Sequence, residues 1–156
     1  MQEKYTSKST KETHLIASKL KKELKNVSFN NQAALIILKG DLGSGKTEFA
    51  KGFIKSLGIK RSVLSPTFVF VRAYNLIKPF LNFKNIYHYD VYRLIDKPRL
   101  KMDDLQDLAF KEIILDSENL VLIEWGKNII DINQYKYILV SLEVKKQDRE
   151  ITITLK

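Results

Sequence analysis

Residues Gly40-Asp41-Leu42-Gly43-Ser44-Gly45-Lys46-Thr47 spell the pattern GxxxxGK[ST], and their flanks narrow the fold more than any other feature of the chain. Upstream, Ala33 to Leu38 (AALIIL) is a short unbroken apolar run, as suits a strand buried on both faces of a helix-covered sheet. Downstream, Phe49, Ala50, Phe53, Ile54 and Leu57 recur at helical spacing, and Gly58 is placed to end that helix. Strand, glycine-rich turn and helix in this order predict a phosphate-binding loop. Glycines let the backbone curl around an anion with its N–H groups inward, and the helix N-terminus adds partial positive charge. On this reading Asp41, Leu42, Gly43, Ser44, Gly45, Lys46, Thr47 and Glu48 surround the phosphates of a nucleotide. Lys46 reaches the β- and γ-phosphates, and the Thr47 hydroxyl faces Mg²⁺. The bland alternative is a glycine-rich turn with no ligand.

A triphosphate held this way needs a carboxylate near the metal and a group that orients the attacking water. Within a second buried-strand pattern, Leu120 to Trp125 (LVLIEW), Glu124 ends the strand LVLIE, the end at which ligands collect in parallel sheets. Asp90 lies in HYDVYR, within another strand-like run. Both are candidates for metal or catalytic work, as is Thr67 of Ser65-Pro66-Thr67, a turn whose hydroxyl could sense the γ-phosphate. As isolated residues all three are equally at home on an ordinary surface.

Around this centre, Ser9-x-x-Glu12 is a capping-box pattern, and Ile16, Leu20, Leu24 and Val27 continue it as an amphipathic helix with His14 on its surface. Residues Phe68 to Tyr74 and Ile86 to Leu94 are expected to form a long hairpin, and Asp103 to Leu115 an acidic helix. Ile138, Val140, Leu142 and Val144 alternate, then turn into Ile151, Ile153 and Leu155, which predicts a terminal hairpin. The expectation is one α/β domain over residues 1–156, with a mixed, mainly parallel sheet flanked by helices, and residues 1–8 as a flexible extension.

Composition narrows the chemistry. The chain of 156 residues has no cysteine and two histidines, so thiolate metal sites are excluded and any metal is held by oxygen. No apolar stretch approaches the ~20 residues of a membrane span, and the N-terminal residues lack a secretory pattern, which points to the cytoplasm. The net charge of +9 has two readings. Twenty-two of the 27 basic residues are Lys and Ile outnumbers Ala 17 to 6, the skew of A+T-rich coding. The lysines are also spread along the chain with no compact basic block, so the charge by itself does not assign a nucleic-acid partner.

GDLGSGKT, SPTF (Ser65 to Phe68), HYDVYRL (His88 to Leu94) and LIEWG (Leu122 to Gly126), in this order, resemble the bacterial TsaE (YjeE) family, ATPases of tRNA threonylcarbamoyladenosine biosynthesis. The resemblance spans roughly residues 9 to 155. It implies a fold like that of phosphate-loop nucleoside triphosphatases, ATP and Mg²⁺ as ligands, and slow hydrolysis stimulated by partners. It further implies that Thr47 and Glu124 hold Mg²⁺, that Asp90 supports metal or water, and that Ser65 to Thr67 act as a switch. Glu12, Thr13 and Arg149 would lie near the adenine. The implied partners are TsaD and TsaB, with tRNA met indirectly through their complex and no small-molecule acceptor or membrane. Ser44, where alanine is more usual, and Gly126 after the Trp are mild departures.

Rival readings are a small-molecule kinase and a nucleotide-gated binding module in which hydrolysis only resets the switch. The five arginines are scattered singly, which does not suit a kinase lid. A direct RNA-binding reading would use Tyr87, Tyr89 and Tyr92, although aromatics in a strand more often serve sheet packing.

Overall fold

The computed structural model describes residues 2–96, 99–129 and 131–156. Its strands are β1 (Gln2–Ser7), β2 (Ala34–Lys39), β3 (Val71–Phe80), β4 (Phe83–Asp90), β5 (Asn119–Glu124), β6 (Tyr137–Lys145) and β7 (Asp148–Leu155). The helices are α1 (Thr10–Lys25), α2 (Lys46–Ser56) and the short α3 (Phe110–Leu115). One seven-stranded sheet runs in the order β1-β7-β6-β2-β5-β4-β3. Strands β6, β2, β5 and β4 are mutually parallel, while β7 and β3 pair antiparallel at the flanks. Because β1 is antiparallel to β7, it points with the central four, so five of the seven strands share a direction. The mixed, mainly parallel α/β sheet is the expected one.

Period-two alternation divides the two central strands between two cores. Ala34, Ile36, Leu38, Leu120 and Leu122 pack under α1 and α2 with Leu20, Phe49 and Phe53. Leu35, Ile37, Val121 and Ile123 face the opposite layer, with Leu105, Phe110 and Ile114. That double burial is why both strands read as continuous apolar runs.

At the start of α1, Ser9 Oγ accepts from the Glu12 N–H at 3.2 Å, as the capping box predicts. The Glu12 carboxylate, however, accepts from the Lys8 N–H at 2.7 Å rather than from Ser9. The flexible extension expected over residues 1–8 is corrected at Gln2–Ser7. These residues form β1, in register with β7 from Gln2 opposite Thr154 to Ser7 opposite Arg149. Ser7 is fully buried and shares a hydrogen bond of 2.8 Å with Thr13 Oγ1, and Tyr5 packs against the core. Backbone pairing to an existing strand needs little apolar side-chain patterning, so QEKYTS carries almost no local strand signal.

The helix expected over Asp103 to Leu115 is also corrected. A 3₁₀ helix covers Met102–Leu108, Ala109 takes a left-handed φ of 50°, and α3 begins at Phe110. Leu105 and Phe110 are both fully buried. Five residues of α-helix would turn them about 140° apart, so the break lets both reach one core. The long hairpin is present but shifted: β3 starts at Val71, Phe68 lies in a turn, and the chain enters a 3₁₀ turn at Tyr92. Pro79 is accommodated where the β3–β4 register slips between Asn75 and Phe80. The C-terminal hairpin of β6 and β7 is as expected.

Candidate functional site

Three parallel strands, β2, β5 and β4, end side by side, and the register sets Glu124 opposite Leu38 on one side and Asp90 on the other. The loop that follows β2 therefore rises beside two carboxylates supplied from remote parts of the chain. Gly40 begins this loop under a tight roof: a Cβ there would stand 2.4 Å from Leu142 O and 2.5 Å from Ser44 Oγ. Gly45 caps α2 at φ 101°, a conformation costly for any residue with a Cβ. The first helical bond of α2 runs from the Phe49 N–H to Gly45 O, leaving the N–H groups of Lys46, Thr47 and Glu48 without helical partners. Ser44 is buried and its hydroxyl has no hydrogen-bond partner among the described residues.

Lys46 folds back over its own loop. Its Nζ donates to Gly40 O and Asp41 O, both at 2.8 Å, and lies 4.0 Å from the centre of the Trp125 ring. Burial holds this amine below the ordinary lysine range despite the opposing pull of Glu124, Asp90 and Asp41. Trp125 adopts a left-handed φ of 65°, uncommon for a bulky residue, and the bend carries its indole under the amine.

The Thr47 hydroxyl donates to Glu124 Oε2 at 2.8 Å. The other carboxylate oxygen, Oε1, meets Nε2 of His88 at 2.9 Å, with both residues buried. His88 Nδ1 has no hydrogen-bond partner among the described residues. Beside this pair, the Thr67 hydroxyl donates to Asp90 Oδ2 at 2.5 Å, and the Tyr92 N–H donates to Asp90 Oδ1 at 2.9 Å. Ser65 and Thr67 share a hydroxyl hydrogen bond of 2.8 Å, so the SPT turn is tied directly to Asp90.

A cavity of about 340 Å³ gathers Lys46, Thr47, Thr67, Asp90, Glu124 and Arg149 on its wall, together with Leu42, Gly43, Gly45 and Glu48. The residues singled out for catalysis and metal thus converge, although they come from four separate stretches of sequence. Arg149 reaches the loop from β7; a Cβ on Gly45 would lie 3.2 Å from its Nε. Asp41, Ser44, Glu12 and Thr13 lie outside this cavity. Asp41 contributes its carbonyl to Lys46, and Ser44 sits beneath the loop. Thr13 is buried against Ser7, and Glu12 is exposed with its carboxylate on Lys8 N–H. Glu48 binds Lys51 at 2.8 Å and His14 at 3.2 Å; those two bonds outweigh burial and hold its carboxyl below the ordinary range. His88 is the residue that sequence reasoning passed over. The spacing His-x-Asp in a strand places both side chains on one face, which is the signal that could have found it.

The fold and site define an α/β protein in which a glycine-rich loop joins a central parallel strand to a helix, beside a Lys–Thr–Glu–Asp cluster. The family model described as "Threonylcarbamoyl adenosine biosynthesis protein TsaE" matches residues 7–151, and this chain belongs to that family. The Bacillus subtilis tRNA threonylcarbamoyladenosine biosynthesis protein TsaE is 36% identical over 129 residues, 81% of this chain and 73% of its own. The Rickettsia prowazekii protein of the same name is 34% identical over 148 residues, 94% of this chain and 90% of its own. A crystal structure of Bacillus subtilis YdiB superposes with a TM-score of 0.65 at 27% identity, covering 99% of this chain and 86% of that one. Among the described residues, no helix is long and apolar enough to cross a membrane.

Proposed function

We propose that this chain binds ATP with Mg²⁺ in the cavity at the glycine loop and hydrolyses it slowly, in the cytoplasm, as part of tRNA threonylcarbamoyladenosine biosynthesis. The observation that carries the reading is the state of Lys46. Its ammonium is buried and, among the described residues, is held by two loop carbonyls and an indole face, on the wall of the cavity that also carries Thr47, Asp90 and Glu124. An amine with no carboxylate partner of its own can exchange carbonyls for phosphate oxygens at small cost. The unpaired N–H groups at the start of α2 supply further donors for the same anion.

The residues fit both ligands. Among the described residues, no group of three or more His, Asp or Glu is placed to hold a metal by itself. Mg²⁺ does not require one, since it takes one or two carboxylates and completes its shell with water and substrate phosphates. Thr47 and Glu124 would hold it, with Asp90 in support, and the ion would offset negative charge on the phosphoryl group in flight. His88 and Thr47 fix the two oxygens of Glu124 in place, and Thr67 ties the SPT turn to Asp90, so a shift of that turn is felt by the carboxylate. Arg149 would contact the nucleotide from the terminal hairpin. Leu42 on the cavity wall and Phe68, next to Thr67 in sequence, are 74% and 84% exposed and suit a protein that covers the site. TsaD and TsaB are the proposed partners, excluding water and raising turnover.

Calorimetry on the full chain tests the reading: MgATP should give a binding heat that Lys46→Ala removes, and hydrolysis should rise when TsaD and TsaB are added. No heat with the unaltered protein would overturn it.

A further inference from the structure

A groove of about 500 Å³ lies between the C-terminal half of α1, the end of α2 and the outer part of β3. Lys19, Lys21, Lys22 and Lys25 of α1 and Lys78 of β3 line it, and no acidic residue does. Two of the five have local work. Lys21 Nζ donates to Ser56 O at 3.0 Å, which caps the end of α2, and Lys19 lies 4.4 Å over the Tyr5 ring. Lys22, Lys25 and Lys78 are exposed, and their side chains have no hydrogen bond, ion pair or ring contact among the described residues. The two acids of α1 do not neutralise them: Glu12 binds the Lys8 N–H, and Glu23 lines a different hollow, beside Glu3.

Favourable interaction with the helix dipole accounts for part of this pattern, since Lys22 and Lys25 lie in the last turn of α1. It does not account for Lys78, which is brought to the same groove from a strand. Like charges gathered without counter-charges repel one another, and an anionic occupant relieves that repulsion. The residue type selects the occupant. Lysine is depleted at protein–protein interfaces, whereas it meets phosphates readily as a point charge. Leu57, Pro79 and Phe80 add apolar surface suited to sugars or bases.

We propose that this groove binds the phosphate backbone of RNA, and that its occupant is the tRNA being modified. The choice of tRNA rests on the function proposed above, whereas the phosphate chemistry rests on the groove alone. Such direct contact differs from the indirect route, through the TsaD and TsaB complex, that the family resemblance implies.

The test measures binding of an unmodified tRNA transcript to the full chain without nucleotide, across a salt series. The triple variant Lys22→Ala, Lys25→Ala, Lys78→Ala should weaken binding at least tenfold at low salt. It should also reduce the slope of log K against log salt by about 2, since each lost phosphate contact is worth roughly 0.7–0.9. A control, Lys111→Ala, Lys136→Ala, Lys146→Ala, makes the same change in net charge outside the groove. It should weaken binding less than threefold. Equal losses in the two variants, or no tRNA binding by the unaltered chain, would overturn the proposal. So would unchanged tRNA affinity with lost binding of TsaD and TsaB, which would assign the groove to an acidic protein. MgATP heat is recorded for every variant. Its absence in the unaltered chain counts against the nucleotide reading without touching the tRNA measurement.

Discussion

Thr47 Oγ1 and Glu124 Oε2 lie 2.8 Å apart although 77 residues of chain separate them, one at the first turn of α2 and the other at the last residue of β5. The parallel register of β2 with β5 produces the contact, because it sets Leu38, the residue just before the end of β2, opposite Glu124. The two groups proposed to face Mg²⁺ are thereby placed before any ligand arrives, which lowers the cost of organising them during turnover.

If Glu124 serves hydrolysis more than anchoring, Glu124→Gln should separate the two. MgATP affinity should stay within about fivefold while single-turnover hydrolysis falls about 100-fold or more, since the amide keeps the shape and loses the charge. Unaltered hydrolysis would remove Glu124 from the reaction.

His88 supports Glu124 from inside the sheet, so His88→Leu leaves one oxygen of a buried carboxylate without its partner. A loss of about 2–3 kcal/mol is expected, seen as a fall in Tm of roughly 5–10 °C. His88→Gln can still donate and should recover part of it. Equal melting of all three proteins would mean that the hydrogen bond carries no stability.

Gly52 stands where α1 and α2 cross. A Cβ there would come within 2.6 Å of His14 Cα and 2.9 Å of His14 Cβ. Alanine is the better helix former by about 1 kcal/mol, yet Gly52→Ala should lower the urea midpoint with an unchanged m-value, because the clash outweighs propensity. A raised midpoint would show that the crossing has room.

Tyr5 reports on its bond to Glu3, two residues away on β1. Its hydroxyl bonds to Glu3, which, with some burial, lifts its pKa to about 12. A raised value favours the protonated phenol in the folded chain, so that contribution is intact below about pH 10 and is lost as pH rises through about 12. Spectrophotometric titration of the unaltered chain against Tyr5→Phe isolates this phenol. A midpoint near 10 would mean that the Tyr5–Glu3 bond is not made.

Much of the site was legible because its signals are short-range. The glycines of the loop answer to backbone geometry, the apolar runs of β2 and β5 to burial on both faces, and α2 to a spacing of 3.6 residues. Glu124 could be picked out because it ends a strand-like run, and Asp90 because it lies within one. The pairing of Glu124 with His88 could not, since it depends on which strands neighbour β5 and in what register.

The amino-acid sequence alone determined the loop, the strand and helix that flank it, and the acids available to it, because each answers to chemistry within a few residues. Tertiary structure decided the rest. It turned a polar N-terminal hexapeptide into β1, made room for Gly52 rather than alanine, and drew Lys78 to the lysines of α1 in one groove. Those outcomes depend on contacts between segments tens of residues or more apart. Local propensity says nothing about them, because side chains become neighbours there only after the sheet has closed.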